Sequence, residues 1–336
     1  MKIAIHHTPG SFSDRWIAYC EKQGIPYKIV NAYASDIMEQ VKDCDAFMWH
    51  HNHGNYKDAL FAKQLLYSLQ IAGKRVFPDF NTTWHFDDKV GQKYLLEAIG
   101  APLVPSYVFY SKREALEWAK QTSFPKVFKL RGGGGSANVR LVRTRSEAYR
   151  VIRKAFTSGF SQFNRWRHFK ERFNRWRRGD DTLWGVCKGI GRLLIPTEFA
   201  RMHPKEKGYV YFQDFIPDML TDFRIKVVNG RCWGFQRRVR EHDFRASGSG
   251  DLIFDSHAIP LEVVQMAQAI SRKLLLQSVA FDFLRDQEGK WWVIEMSYGF
   301  GFDEREMSYG YWDEHLMWHD ERFIPQEWMV ESVCRR

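Results

Sequence analysis

Two apolar, strand-like runs near the end of the chain, "AFDFLRD" at 280–286 and "WWVIEMSYGFGF" at 291–302, each carry one carboxylate, Asp282 and Glu295. A turn signal, Asp286 with Gly289, separates them. The pattern predicts a β-hairpin whose adjacent strands bring both carboxylates toward one face. Buried acids at that distance repel, and a protein tolerates them around a metal or a shared proton. Hard oxygen ligands suit Mg²⁺ and the phosphates it bridges. The competing account is that both acids pair with arginines, of which the chain has many.

With 336 residues the chain exceeds one ordinary core, so two or three lobes are expected. Hydrophobic content of 44% and charged content of 27% exclude a disordered chain. No apolar run approaches the roughly 20 residues that span a bilayer. The opening "MKIAIHHTPG" has too short an apolar stretch for a signal peptide and reads as a first strand. Cys20, Cys44, Cys187, Cys232 and Cys334 are odd in number and scattered, which predicts free thiols and a cytoplasmic location. The net charge of +10 is uneven: residues 160–178 hold six Arg, one Lys and one Glu, leaving +4 for the rest.

Residues 1–86 alternate strand and helix signals, with strands at "KIAIH", "YKIVNAY", "AFMWHH" and "RVFPD". This predicts an α/β domain built on a parallel sheet. It lacks G-x-G-x-x-G after the first strand, so no dinucleotide fingerprint is present. Residues 87–204 form a second region, with a helix over Asp87–Ile99, strands at "SYVFY" and "KVFKL", and the glycine run 132–135. Ser146 is expected to cap a helix with Glu147 in its first turn. Apolar residues from Ile152 to Trp176 recur at spacings of three and four, which predicts one helix over 146–178 with Gly159 as its weak point. Residues 205–336 are richer in strands and end in the acidic hairpin.

Several elements fall in a fixed order: Lys89; Lys129 before Gly132–Gly133–Gly134–Gly135–Ser136; Gln213–Asp214–Phe215–Ile216; Asp222 and Arg224; Arg237 with Arg238; the loop 243–250 with Arg245; then Asp282 and Glu295. This series resembles the ATP-grasp superfamily, in the branch of glutathione synthetase and the RimK-type carboxylate–amine ligases, over roughly residues 85–303. The resemblance implies an ATP-grasp architecture: an N-terminal parallel-sheet domain followed by two α+β lobes that sandwich ATP with Mg²⁺ or Mn²⁺.

It further implies that Lys89 and Lys129 hold phosphates, and that Gly133, Gly134, Gly135 and Ser136 close over them with backbone amides. Gln213, Asp214, Phe215 and Ile216 would border the adenine, and Asp222 the ribose or a nearby basic group. Arg237 would stabilise a transferred phosphoryl group, with Arg224 and the 243–250 loop, Arg245 included, positioning the acylphosphate or the substrate. Arg238 replaces Arg237 if the strand register slips by one. Asp282, Glu295 and Ser297 resemble the metal triad, with serine where the family usually has asparagine. The implied reaction joins a carboxylate to an amine through an acylphosphate. An ATP-grasp-like kinase and a non-catalytic nucleotide- or polyanion-binding protein are the alternatives.

The expected substrates are a carboxylate and an amine, small or polymeric, with an acidic sugar, a peptide or a polysaccharide precursor as acceptor classes. His50, His51 and His53 follow the third strand, where open α/β sheets bind ligands; a substrate-facing or polar loop is favoured over metal ligation. Gly10–Ser13 offers a helix N-terminus to an anion. For 160–178 three readings stay open: packing on the second lobe or on a second subunit of a homodimer, recognition of an acidic polymer or lipid-linked substrate, and membrane-surface contact. Nucleic acid is disfavoured, because no nucleic-acid fold accompanies the patch.

Overall fold

The computed structural model describes residues 1–133, 139–162, 176, 182, 201, 202, 204–239 and 251–334. Gly134, Gly135, Ser136, Arg245, Cys187 and most of the basic 160–178 segment lie outside them. Two compact units emerge: Met1–His53, Lys57–Val104 and Ile216–Arg336 form the first, and Gly54–Tyr56 with Pro105–Phe215 the second. Residues 87–104 therefore group with the N- and C-terminal segments.

In the first unit, short β-branched and aromatic runs alternate with amphipathic helices. Strands β1 (Ile3–His6), β2 (Tyr27–Val30), β3 (Ala46–Trp49) and β4 (Arg75–Phe77) pair in parallel in the order β2-β1-β3-β4. Helices α1 (Phe12–Gln23), α2 (Ile37–Gln40) and α3 (Tyr56–Ile71) are the connections, and α4 (Phe80–Thr83) and α5 (Lys89–Ala98) follow β4. Strand β1 is buried at every residue, as a central parallel strand requires.

The second sheet of this unit is antiparallel at every strand pair. Strands β9 (Thr221–Val228), β10 (Arg231–Arg238), β11 (Leu252–Ile253), β12 (Ser278–Arg285), β13 (Trp291–Ser297), β14 (Tyr311–Trp312) and β15 (Trp318–His319) run in the order β13-β12-β9-β10-β14-β15, with β11 on β10. Period-two alternation divides its faces. Ile225, Val227, Val279, Phe281, Phe283 and Val293 join one core with Val263, Val264, Ala267 and Ile270 of the helix Leu261–Lys273. The other face carries Asp222, Arg224, Lys226 and Asp282. The last helix, Pro325–Cys334, packs Trp328, Met329 and Val330 into a core shared with Ile3, Trp16 and Trp233.

The second unit has a four-stranded sheet, β5 (Ser106–Phe109), β8 (Val210–Asp214), β6 (Lys126–Lys129) and β7 (Arg140–Val142), in that spatial order. Helices α6 (Lys112–Gln121) and α7 (Arg145–Ala155) bury Ala115, Ala119, Ala148 and Ile152 against Phe128 and Phe212. Thr144, not Ser146, caps α7, accepting from the Glu147 amide.

The expected continuous helix over 146–178 does not form. It stops at Ala155, and Phe160 makes an isolated antiparallel bridge with Glu206. The reason is Gly159, in the left-handed region at φ +67. A Cβ there would sit 2.7 Å from the Glu206 carbonyl oxygen. Gly159→Ala is therefore expected to cost about 1–3 kcal/mol, through both strain and the blocked bridge. Urea denaturation measures it, and an unchanged midpoint would contradict the geometry.

Candidate active site

The acidic hairpin forms in the expected register. Asp282 on β12 lies opposite Glu295 on β13, and Ala280 opposite Ser297. A bulge falls between Asp282 and Phe283, so Ile294 is the extra residue and the alternation shifts beyond it. On its other side β12 places Asp282 opposite Arg224 of β9. One face thus collects the two acids, the serine and a set of cations.

Each acid is paired. Arg224 donates to both Asp282 oxygens, Nε at 2.7 Å and Nη2 at 2.8 Å. Arg237 reaches Asp282 Oδ2 at 2.9 Å and holds Asp222 through two bonds of 2.6 Å. Lys89, buried at the first turn of α5, lies 3.0 Å from Glu295 Oε1. Burial alone would raise the Asp282 carboxyl; the guanidiniums of Arg224 and Arg237 outweigh it and hold it well below the usual carboxylate range. Burial pushes Asp222 up to about 6 against the pull of Arg237. Both original accounts of the acids thus describe part of the geometry: they converge on one face, and they pair with fixed cations.

Arg237 joins this cluster, whereas Arg238 is exposed and faces Asp251 at 3.5 Å. Asp222 was expected to serve the ribose or a nearby basic group; here both its oxygens accept from the neighbouring guanidinium of Arg237. Within the second unit, Lys129 ends β6 and donates to Gln213 Oε1 at 2.6 Å, while Lys126 pairs with Asp214 at 2.6 Å. Phe215 closes the second unit and Ile216 reopens the first. Gly133 has φ +103, at the head of the glycine turn.

His51 and His50 behave as core and scaffold. His51 is buried, its Nε2 2.5 Å from Thr83 Oγ1, and its carbonyl accepts from Tyr298 Oη at 2.6 Å. His50 stacks on Phe12 at 3.8 Å and accepts the Phe12 amide at 3.3 Å. Ser11 Oγ accepts from the Ser13 amide. The α1 N-terminus, expected to be offered to an anion, thus has its Phe12 and Ser13 amides engaged within the chain.

Sequence reasoning missed Lys226 and Glu306. Lys226, two residues after Arg224 and fully buried, donates to both Glu306 oxygens at 2.6 and 2.8 Å and to the Gly301 carbonyl at 2.7 Å. Trp233 Nε1 and the Asp303 amide complete the Glu306 carboxylate. Burial pushes the Lys226 ammonium down to about 8, against the opposing pull of Glu306. A fully satisfied buried pair of this kind ties the segment after β13 to the middle of the sheet. The available signal was the charge at every second position, Asp222, Arg224 and Lys226.

Among the described residues, no three His, Cys, Asp or Glu side chains converge as a metal cluster. The candidate donors are two carboxylates and the Ser297 hydroxyl, all oxygen, at adjacent register positions. Three cations, Lys89, Arg224 and Arg237, balance Asp222, Asp282 and Glu295. A bare divalent ion would meet these cations, whereas one arriving with polyphosphate offers them anionic oxygens in exchange. The donor set therefore fits a hard cation bound together with a phosphate ligand.

Residues 88–179 match the family described as carbamoyl-phosphate synthase L chain, ATP binding domain. No curated protein sequence matches the chain. Solved structures align over nearly all of it, and the fold they share with it is the ATP-grasp fold. A RimK-domain ATP-grasp protein from Sphaerobacter thermophilus has TM-score 0.58 and 14% identity, covering 99% of each chain. A biotin carboxylase from Campylobacter jejuni, solved as a β,γ-ATP complex, has TM-score 0.60 and 12% identity over 99% of this chain and 70% of that one. A D-alanine–D-alanine ligase from Bacillus anthracis complexed with ATP has TM-score 0.54 and 14% identity, covering 91% and 88%. The domain match and the fold together support the resemblance to the ATP-grasp superfamily. Among the described residues, no helix is long and apolar enough to cross a membrane.

Proposed function

We propose that this protein is an ATP-dependent, ADP-forming ligase that joins a carboxylate to an amine. The observation that carries the reading is the opposed pair Asp282 and Glu295, flanked on one sheet face by Arg224 and Arg237 and by Lys89. Asp282, Glu295 and Ser297 would hold Mg²⁺, which supplies charge neutralisation at the phosphates when bound.

The chain's own groups do the rest. Arg224 and Arg237 would exchange Asp282 for phosphate oxygens, and their fixed guanidiniums stabilise charge on the transferred group without reorganising. Lys89 would move between Glu295 and a phosphate oxygen. In the second unit, Lys129 and the glycine turn would engage phosphates, and the segment from Gln213 to Ile216 the adenine. The substrate carboxylate attacks the γ-phosphorus and ADP leaves. An amine then displaces phosphate from the acylphosphate to give the amide, so no side-chain nucleophile is required.

A second reading, a non-catalytic nucleotide-binding protein, is favoured by one observation: both Asp282 oxygens are already held by guanidiniums. Phosphate release over a panel of carboxylates and amines separates the two. Turnover that needs both substrates supports the ligase; phosphate retained on a hydroxyl product identifies a kinase instead. Lys129→Met and Glu295→Gln are expected to lower ADP formation on the order of 10²–10³-fold. Wild-type turnover left intact by either variant defeats the assignment.

A further inference from the structure

In the second unit, the carboxylate of Glu206 accepts from two consecutive backbone amides, Arg131 N at 3.3 Å and Gly132 N at 3.2 Å. Tyr209 Oη and Gln162 Nε2 also donate to it. Tyr209 Oη in turn accepts from the Arg131 amide at 2.6 Å. Successive amides pointed at one anion are the arrangement by which a turn holds a phosphate. Here the chain supplies the anion itself.

We infer that Glu206 is a positioning residue for the start of the glycine run: by taking the amides of Arg131 and Gly132, it holds the backbone of residues 131–133 in place. The inference rests on the proposal that this run serves nucleotide phosphates. Its geometry is built from the sequence upward. Helix α7 stops at Ala155, and Gly159 lets Phe160 bridge Glu206 through bonds of 2.8 and 2.9 Å. Phe160 is buried against Phe128, the residue before Lys129. The Gly208 amide donates to the Ala155 carbonyl, closing the support from the other side. The carboxylate is therefore held over the end of β6 by packing and by backbone bonds at Glu206 itself and at Gly208.

The consequence concerns which amides a ligand can use. Those of Arg131 and Gly132 are withdrawn from it while Glu206 stays in place. Next to them stands Gly133, whose φ of +103 suits glycine. Losing the carboxylate frees two amides but also loosens residues 131–133. A phosphate ligand then has to order these residues on binding, which weakens it.

The test uses the full chain without nucleotide, then with ADP and with adenosine. Amide hydrogen exchange over 131–133 reads the clamp directly; it is expected to quicken at least about tenfold in Glu206→Ala and less in Tyr209→Phe. Affinity for ADP is expected to fall about tenfold in Glu206→Ala, with adenosine affinity and kcat changed by less than about threefold. Glu206→Gln, which keeps one acceptor oxygen, should recover part of the loss. ADP binding that is unchanged or tighter in Glu206→Ala overturns the inference, as does an equal fall for adenosine. Unchanged exchange does the same. A wild-type chain that binds no ADP overturns the nucleotide reading, while the exchange measurement still decides the clamp.

Discussion

Asp282→Ala is expected to abolish ADP-forming turnover, on the order of 10³-fold or more, and to lower stability by about 3–5 kcal/mol. The stability loss follows from what remains: Arg224 loses both its bonds, and Arg237 keeps Asp222 alone. Breaking a buried ion pair costs more than replacing it, because the survivor stays charged with reduced access to water; Arg224 is 25% exposed. The double variant Arg224→Met with Asp282→Leu removes both charges and leaves the Arg237–Asp222 pair intact. It is expected to recover stability to within about 1–2 kcal/mol of wild type while turnover stays absent. Urea midpoints and ADP release on the same preparations read the two effects apart. If turnover returned with stability, Asp282 would be a structural counter-ion and nothing more.

Glu295→Gln probes the neighbouring position from the opposite side. Its side chain is 35% exposed, so its pairing with Lys89 contributes less to the fold than the Asp282 array does. Retained stability with lost turnover at Glu295, set beside loss of both at Asp282, is the pattern that the geometry dictates. The difference lies in burial: the Asp282 side chain is 10% exposed and that of Glu295 35%.

How much of this was legible in the sequence depends on how local the signal was. Strand–helix alternation over 1–86 and the hairpin around Asp286 and Gly289 were readable, because period and turn chemistry are short-range. The Asp282–Glu295 register was readable because the turn fixes it. Lys89 opposite Glu295 was not: that pairing joins distant segments, and no pattern links them except the family resemblance. The helix over 146–178 was misread because aromatic periodicity was allowed to run through Gly159, whose left-handed backbone ends α7's path and permits the bridge to Glu206. Lys226 was not singled out, although alternation with Asp222 and Arg224 put it on the same face. Its partner Glu306 lies in an aromatic, acidic stretch with no period to place it.

The second large effect is acid sensitivity centred on His85. This residue is 1% exposed, and among the described residues neither ring nitrogen has a hydrogen-bond partner. Burial, with the Lys63 ammonium nearby, pushes its imidazole down to about 4. Lys63 donates to the carbonyls of Trp84 and Phe86, on either side of His85. An unfolded histidine titrates near 6.5. Between about 6.5 and 4 the unfolded chain therefore binds the proton that the fold refuses. Stability is full above that window and falls as pH drops through it, by about 3 kcal/mol for this one group. Burial drives His50 down to about 4 and His51 well below its ordinary value, so both add in the same direction. His85→Phe is expected to reduce the loss between pH 7 and pH 4.5 by about 2–3 kcal/mol, whatever repacking costs at pH 7. The same position links the fold to the site. The His85 carbonyl accepts from the Asp88 amide and from Gln92 Nε2, which hold the start of α5 where Lys89 meets Glu295. Charging His85 pulls on that start, so ADP affinity should fall with stability below pH 6 in the wild type and less steeply in His85→Phe. Denaturation and ADP titrations at pH 7, 5.5 and 4.5 check both, and parallel acid limbs in the two proteins would remove His85 from the account.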